Sequence, residues 1–146
     1  MQLRYIEGGI SAGRTDLLAI AVARGTRTLD GELGSIDEAL GGVLRRALTT
    51  GDMRGRLMDE VLIYGPDKGP ERVLLLGIGE ASEVTREVIR RFAGRAVRAA
   101  ERLRLKQLTL SLDGLGNIAD EERAQAATEG AALAAWRFSE LMTPEE

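Results

Sequence analysis

Two short apolar runs most constrain the fold that this chain of 146 residues can adopt. Leu17–Ala23 consists wholly of apolar residues, and Arg72–Gly77 contains a second apolar run. Runs of this length that lack a polar face are typical of strands covered on both sides of a sheet. Three further segments have patterns that predict additional strands: Gln2–Glu7, Val61–Tyr64 and Gln107–Leu112.

Helical periodicity separates these strands. Ser35-Ile36-Asp37-Glu38 has the form of a capping box, which predicts one helix that continues to Gly51. The apolar side of that helix is predicted to hold Ile36, Ala39, Leu40, Val43, Leu44, Ala47 and Leu48. Further helices are predicted over Thr85–Arg104 and about Ala119–Leu141. The remaining segments are predicted to be loops or turns: Arg24–Gly34, Asp67–Pro70, Ile78–Gly79 and Asp113–Asn117.

The alternation of strands and helices indicates an α/β sandwich, with helices on both sides of a mixed sheet. Composition narrows the possible chemistry, because the chain has no cysteine and no histidine. Zinc fingers, thiol nucleophiles, disulfide frameworks and histidine relays are therefore excluded. The N-terminal residues lack the apolar core of a signal peptide, and no apolar run approaches the ~20 residues that span a bilayer. We expect a soluble protein, compatible with the cytoplasm.

Two glycine clusters resemble phosphate-binding loops only in part. Gly77-Ile78-Gly79-Glu80 follows a strand, but Ser82 stands at the third glycine position of the dinucleotide motif. Glu80 and Glu83 would also repel an anion. The Gly8–Gly13 cluster lacks the Gly-Lys-Ser/Thr ending of a Walker loop. A simple turn and a flexible connection are therefore favoured over nucleotide binding.

Charge is distributed unevenly along a chain whose net charge is −3. Arg86–Lys106 contains eight basic and two acidic residues, whereas Asp113–Glu146 contains eight acidic and two basic residues. We expect the arginines to point outward and some of them to meet the acidic C-terminal part. Nucleic-acid binding through Arg86–Arg104 is disfavoured, because Phe92 falls on the apolar stripe and no stacking aromatic residues interrupt the basic face.

Two other groups on the last predicted helix have structural interpretations. Asp120, Glu121 and Glu122 lie at its start, where carboxylates complement the helix dipole. Trp136 and Phe138 are two residues apart, so they diverge by ~200° around the helix. We expect one of them to lie against the sheet and the other to cover a neighbouring domain.

Several segments, in this order and spacing, resemble the N-terminal domain of the leucyl (cytosol) aminopeptidase family. They cover nearly the whole chain: Asp16–Val22, Ala39–Leu44, Gly51–Arg56, Glu71–Gly79, the arginine-rich helix and Glu129–Phe138. The resemblance implies a three-layer α/β/α, macro-domain-like fold for residues 1–142. Residues 143–146 would begin a linker to a catalytic domain that this chain lacks.

The resemblance also implies a parent protein that is a cytoplasmic, hexameric metallo-aminopeptidase. Such an enzyme would use divalent ions, Zn or Mn, to activate water in its catalytic domain. The family's ligand stretch Asn-Thr-Asp-Ala-Glu-Gly-Arg is absent from this sequence. We therefore expect the chain to be inactive alone and assign it no catalytic, cofactor-binding or metal-binding residues. Its predicted role is in assembly and active-site access, with no membrane partner.

Two alternatives remain open from the sequence. A stand-alone, macro-like module could bind a nucleotide or ADP-ribose through Gly77–Glu80. DNA binding through the Arg86–Arg104 helix is less favoured. It stays open because some relatives of the family bind DNA.

Overall fold

The computed structural model describes residues 15–65 and 69–141. The predicted strand at residues 2–7, the glycine cluster at residues 8–13 and the first two residues of the turn at 67–70 lie outside this description. The proposed linker at residues 143–146 also lies outside it.

In the described residues, four strands form one mixed sheet: β1 (Leu17–Ala23), β2 (Glu60–Tyr64), β3 (Arg72–Gly79) and β4 (Leu108–Ser111). Their order across the sheet is β2-β3-β1-β4. The central strand β1 pairs in parallel with β3 and with β4, whereas β2 pairs with β3 in the antiparallel sense. The four strands predicted within the described residues are confirmed. The predicted bend at Ile78–Gly79 is wrong, because both residues continue β3.

Within the part of the chain that the structure describes, four α-helices connect and cover the strands: α1 (Gly31–Ala39), α2 (Val43–Thr49), α3 (Arg86–Arg102) and α4 (Asp120–Leu141). The Thr85 hydroxyl caps the N-terminus of α3 by accepting a hydrogen bond from the Val88 amide at 3.3 Å. The predicted helices that correspond to α3 and α4 are confirmed to within two residues at each end. No helix in the described part of the chain is long and apolar enough to cross a membrane.

The predicted capping box and single helix are wrong. The first helix already begins at Gly31, within the predicted loop, and Ser35 lies inside it with its hydroxyl donating to the Gly31 carbonyl. Gly41 and Gly42 have φ of +76° and +81°, a backbone conformation that ends α1 and separates it from α2. The buried Asp37 carboxylate then accepts from the amides at the start of α2, at 2.8 Å from Leu44 N. Asp37, and not Ser35, is therefore the capping side chain.

Alternate residues of β1 face two separate apolar layers. Leu17, Ala19 and Ala21 pack with α3 and α4, whereas Leu18, Ile20 and Val22 pack with α1, α2 and the buried Met53. All six of these β1 side chains are at most 6% exposed. Burial on both faces explains why the strand has no polar positions. The fold is therefore a three-layer α/β/α sandwich, as predicted.

Candidate functional site

The carboxyl ends of β1 and β3 form the edge at which open α/β sheets usually bind ligands. Here the segment between α2 and β2 covers that edge. The Gly79 amide donates to the Gly55 carbonyl at 2.8 Å, and the Gly77 amide donates to the Asp59 carbonyl at 2.9 Å. A Cβ at Gly77 would overlap the Arg56 carbonyl oxygen. Both glycine amides are thus bonded within the protein, which fits close backbone packing better than a phosphate cradle.

Arg95 of α3 fixes the covering segment in place. Its guanidinium donates to the carbonyl oxygens of Leu57 at 2.7 Å, Gly77 at 3.0 Å and Asp59 at 3.0 Å. Burial lowers the pKa of Arg95, while the nearby Glu60 and Asp59 carboxylates act in the opposite direction. An arginine nevertheless stays charged at neutral pH. The prediction that every arginine of this helix points to solvent is therefore wrong for Arg95, which is half-buried.

Asp59 closes the same segment from its other end. Its carboxylate accepts from the amides of Arg54 at 3.0 Å and Arg56 at 3.2 Å, and from Arg56 Nε at 3.1 Å. The Asp59 side chain is only 11% exposed. Burial by itself would raise the pKa of Asp59, but the bonds from Arg56 and the two amides outweigh it and lower the pKa. The segment at residues 54–59 is therefore held by one half-buried carboxylate and one arginine.

Replacing Asp59 by asparagine tests this arrangement. We expect Asp59→Asn to lower the free energy of unfolding at pH 7 by roughly 1–2 kcal/mol, because charge-assisted bonds to two amides are weakened. The folded-state pKa lies below the unfolded value of about 4, so this contribution is present above pH 4. The difference between wild type and variant should shrink as pH falls through the folded-state pKa.

Urea unfolding followed by circular dichroism between pH 2.5 and pH 7 would measure that difference. The exposed Asp52 provides the control, since Asp52→Asn should leave stability within about 0.5 kcal/mol. A stability difference for Asp59→Asn that stays constant down to pH 2.5 would contradict the assigned role of the carboxylate.

A second arginine organises the loop that follows β4. Arg123 donates to the carbonyl oxygens of Ile118 at 2.6 Å, Gly116 at 3.0 Å and Leu112 at 3.2 Å. Leu115, within this loop, is fully buried. The segment that covers the carboxyl end of β3 and the loop that follows β4 are thus both fixed by arginines that bind backbone carbonyls.

The arginine face of α3 is largely neutralised by acidic residues. Arg86 contacts Glu122 at 2.8 Å and Arg90 contacts Glu129 at 2.9 Å, which confirms the expected contact with the acidic C-terminal part. The bond from Arg90 lowers the pKa of Glu129. Within the described residues, Arg98 forms no ion pair. The ion pairs of Arg86 and Arg90 leave little free positive charge on this face to bind a nucleic-acid backbone.

Metal-ligating side chains are scattered in the described parts of the chain. No group of three or more aspartates and glutamates lies close enough there to hold an ion. Asp120, Glu121 and Glu122 occupy the first turn of α4, the position expected from their charge. The divalent ions that the sequence resemblance implied were expected in a separate catalytic domain, not among these residues.

The fold and the internally bonded strand edge can be compared with known proteins. The family model described as "Cytosol aminopeptidase family, N-terminal domain" matches residues 19–145. The chain belongs to the cytosol aminopeptidase family. This finding confirms the resemblance seen in the sequence, and the matching region is the family's N-terminal domain.

Relatives of this aminopeptidase domain are longer proteins. A probable cytosol aminopeptidase of Caulobacter vibrioides is 32% identical over 148 residues, covering 100% of this chain and 29% of the relative. One from Alkaliphilus oremlandii is 29% identical over 147 residues, covering 99% of this chain and 30% of the relative. The chain thus spans about 30% of the length of these two curated relatives.

Solved structures support the fold of the aminopeptidase domain. A mutant of tomato leucine aminopeptidase matches 97% of this chain and 29% of its own, with a TM-score of 0.73 and 22% identity. The macrodomain of Mycobacterium tuberculosis DarG matches 88% of this chain and 89% of its own, with a TM-score of 0.66 and 14% identity. At these identities the likeness concerns the fold, and it confirms the predicted macro-domain-like architecture.

Sequence reasoning missed the residues that build the strand edge. Arg95 lies three residues after Phe92 and four before Ala99, both of which are buried. That position at the border of the apolar stripe was the available signal, because a long side chain there can reach inward. Trp136 is 60% exposed, so it does not lie against the sheet, and the side chain of Phe138 is outside the description.

Proposed function

We propose that this chain is the non-catalytic N-terminal domain of a metal-dependent leucyl aminopeptidase, an enzyme that removes N-terminal residues from peptides. The observation that carries the proposal is the family match over residues 19–145, in relatives more than three times as long. The printed names of those relatives, probable cytosol aminopeptidases, support the activity of the whole protein.

The catalytic chemistry is assigned to a second domain outside this chain. The domain proposed here comprises residues 1–142, and residues 143–146 begin the linker. Divalent ions, Zn or Mn, would activate water in the second domain. Support comes from BotP, a bottromycin maturation enzyme whose structure is described as a complex with Mn. That protein is 26% identical and covers 89% of this chain with a TM-score of 0.60.

The proposed role of the domain is in assembly of a cytoplasmic hexamer and in access to the active site. The fixed loops of the domain suit this role, because a domain that shields an active site must keep its loops in one conformation. Arg95 and Arg123 each fix a loop by bonding three backbone carbonyls. Leu57 and Met58, at the tip of one such loop, are 57% and 87% exposed and available for contact with another surface.

A second candidate function is ADP-ribose or nucleotide binding by a macro-like module. The likeness to the DarG macrodomain over 88% of this chain favours it. The geometry at Gly77 and Gly79 argues against it, because both amides already donate to backbone carbonyls. A phosphate at this edge would need those amides free.

Hydrolysis assays on two polypeptides and one titration separate these functions. We expect the 146-residue chain, with Zn or Mn added, to give no hydrolysis of leucine p-nitroanilide above buffer. The polypeptide translated from coding DNA that continues past residue 146 should hydrolyse it. Calorimetric titration of the 146-residue chain with ADP-ribose should release no heat of binding.

Hydrolysis by the 146-residue chain alone would contradict its non-catalytic assignment. Saturable heat with ADP-ribose, combined with a stop codon directly after Glu146, would replace the aminopeptidase proposal with the binding module.

A further inference from the structure

The outer face of α4 changes character along its length. Its first half carries polar side chains to solvent, including Glu121, Gln125 and Glu129. Its second half instead presents Leu133 and Trp136, which are 52% and 60% exposed. These two residues are three positions apart, so they lie on the same side of the helix. An exposed pair of a leucine and the chain's sole tryptophan stands out on a helix whose exposed side chains in its first half are all polar.

The other side of α4 is already used by the fold. Ala126, Ala127 and Ala131 are buried in the layer shared with α3. Gly94 of α3 lies near Ala134, where a Cβ on the glycine would make an ordinary contact of 3.7 Å. The apolar pair is therefore not a part of the α3–α4 packing that happens to reach the surface. It is a separate, uncovered face.

The position of the pair restricts what covers it. Trp136 lies five residues before Leu141, where α4 ends, and a helix rises 1.5 Å per residue. Polypeptide that leaves α4 therefore starts within about 8 Å of Trp136. The relatives are more than three times as long as this chain, so they have polypeptide to place there. Contact within one polypeptide needs little area, because the linked segments have a high effective concentration.

A second copy of this chain fits the pair less well. A stable contact between separate proteins buries about 800 Å² per partner. Two side chains on a single helix supply only a small part of that area. The neighbouring outward residue Glu129 is charged and is already bonded to Arg90.

We propose that Leu133 and Trp136 form a docking face for the polypeptide that follows α4 in the full aminopeptidase. This inference rests on the proposed function and specifies which surface of the domain meets the remainder of the enzyme. The segment seated there would present an apolar surface to the two side chains.

Hydroxyl-radical footprinting read by mass spectrometry tests the inference, because it reports on each residue separately. We expect Trp136 to be oxidised at least five-fold more slowly in the extended polypeptide than in the 146-residue chain. The fully exposed Met58 provides the dose reference in the 146-residue chain. Leucine p-nitroanilide hydrolysis is measured on the same samples of the extended polypeptide.

Two lysine variants sharpen the test. Leu133→Lys in the extended polypeptide should restore Trp136 oxidation by at least two-fold, since a charge cannot stay under an apolar cover. Leu57→Lys is the matched control, because Leu57 is 57% exposed but belongs to the segment between α2 and β2 and not to α4. It should leave Trp136 oxidation unchanged.

Three results would decide against the docking face. Trp136 oxidation could be unchanged in an extended polypeptide that hydrolyses the substrate. It could respond equally to both lysine variants. It could also fall with rising concentration of the 146-residue chain alone, which would identify a second copy as the occupant. An extended polypeptide without hydrolysis would count against the proposed function instead, so the two failures are distinguishable.

Discussion

Replacement of Arg95 by alanine is expected to lower the free energy of unfolding by about 3 kcal/mol, because three bonds from a charged donor are lost. The three acceptors belong to two different elements, the covering segment before β2 and the end of β3. Their carbonyl oxygens would be left without this donor at a half-buried position. For a chain of this size the loss corresponds to a fall of roughly 10 °C in Tm.

The matched control for this variant is Arg98→Ala. Arg98 is on the same helix and is exposed, and it forms no ion pair within the described residues. Its replacement should change stability by less than about 0.5 kcal/mol. Arg95→Lys adds a second comparison, since lysine keeps the charge but cannot reach three carbonyls with a planar fork. We expect an intermediate loss for the lysine variant, measured by thermal unfolding and by urea titration.

Hydrogen exchange would locate the effect of Arg95→Ala. The amides of Gly77 and Gly79 bond to the covering segment, so they should exchange faster in the variant. Exchange of amides in the centre of β1 should be accelerated only in proportion to the loss of global stability. Equal stability of Arg95→Ala and Arg98→Ala would show that the covering segment does not depend on the arginine.

The layers of this fold could be predicted because they depend on patterns within short segments. The apolar run at Leu17–Ala23 predicted a strand buried on both faces, and it is the central strand. The long apolar stripe of α3 was similarly visible, with Phe92 and Ala96 fully buried. In both cases one periodicity dominates over enough residues to outweigh local alternatives.

The first two helices could not be predicted correctly, because their stripe extends across a backbone break. Ile36, Leu40, Leu44 and Leu48 recur at helical spacing and are all buried, which favoured one continuous helix. The decisive residues are Gly41 and Gly42, whose positive φ values end the helix without interrupting the apolar pattern. Asp37 then caps the second helix from seven positions away, a distance that no local capping rule covers.

The chemistry of the strand edge was similarly hidden from the sequence. Gly77 and Gly79 could be recognised as close-approach positions, but not the partner that approaches them. That partner is the backbone at Gly55 and Arg56, about twenty residues earlier in the chain. Contacts of this kind arise from the tertiary arrangement, so a glycine motif by itself leaves ligand binding and backbone packing undistinguished.

Gly130→Ala is the second variant for which we expect a large loss of stability. The added methyl group would push α4 away from α3. A Cβ at this position would lie 2.6 Å from Arg90 Cα, and it would overlap the Arg90 carbonyl oxygen. Backbone atoms of a packed helix cannot rotate away as a side chain can. Alanine normally gains about 0.5–1 kcal/mol over glycine within a helix. The steric cost should exceed this gain and leave a net loss of about 2–3 kcal/mol.

Gly94→Ala is a matched control in the same interface. Gly94 faces α4 from α3 and is also helical, but the nearest atoms to an added Cβ are 3.7 Å away. We expect this variant to be neutral or more stable by up to about 1 kcal/mol, since helix propensity acts without a clash. Urea unfolding of the two variants isolates the close approach of the helices from the chemistry of the substitution.

The comparison also bears on the proposed docking face. Leu133 and Trp136 follow Gly130 on the same helix. The way α4 packs on α3 therefore determines the direction in which these two side chains point. If Gly130→Ala shifts α4 outward, Trp136 oxidation should rise in the extended polypeptide while Gly94→Ala leaves it unchanged. Equal stabilities of the two variants would mean that α4 adjusts freely on α3. A helix that shifts freely on α3 could not hold Leu133 and Trp136 in fixed positions against a following domain.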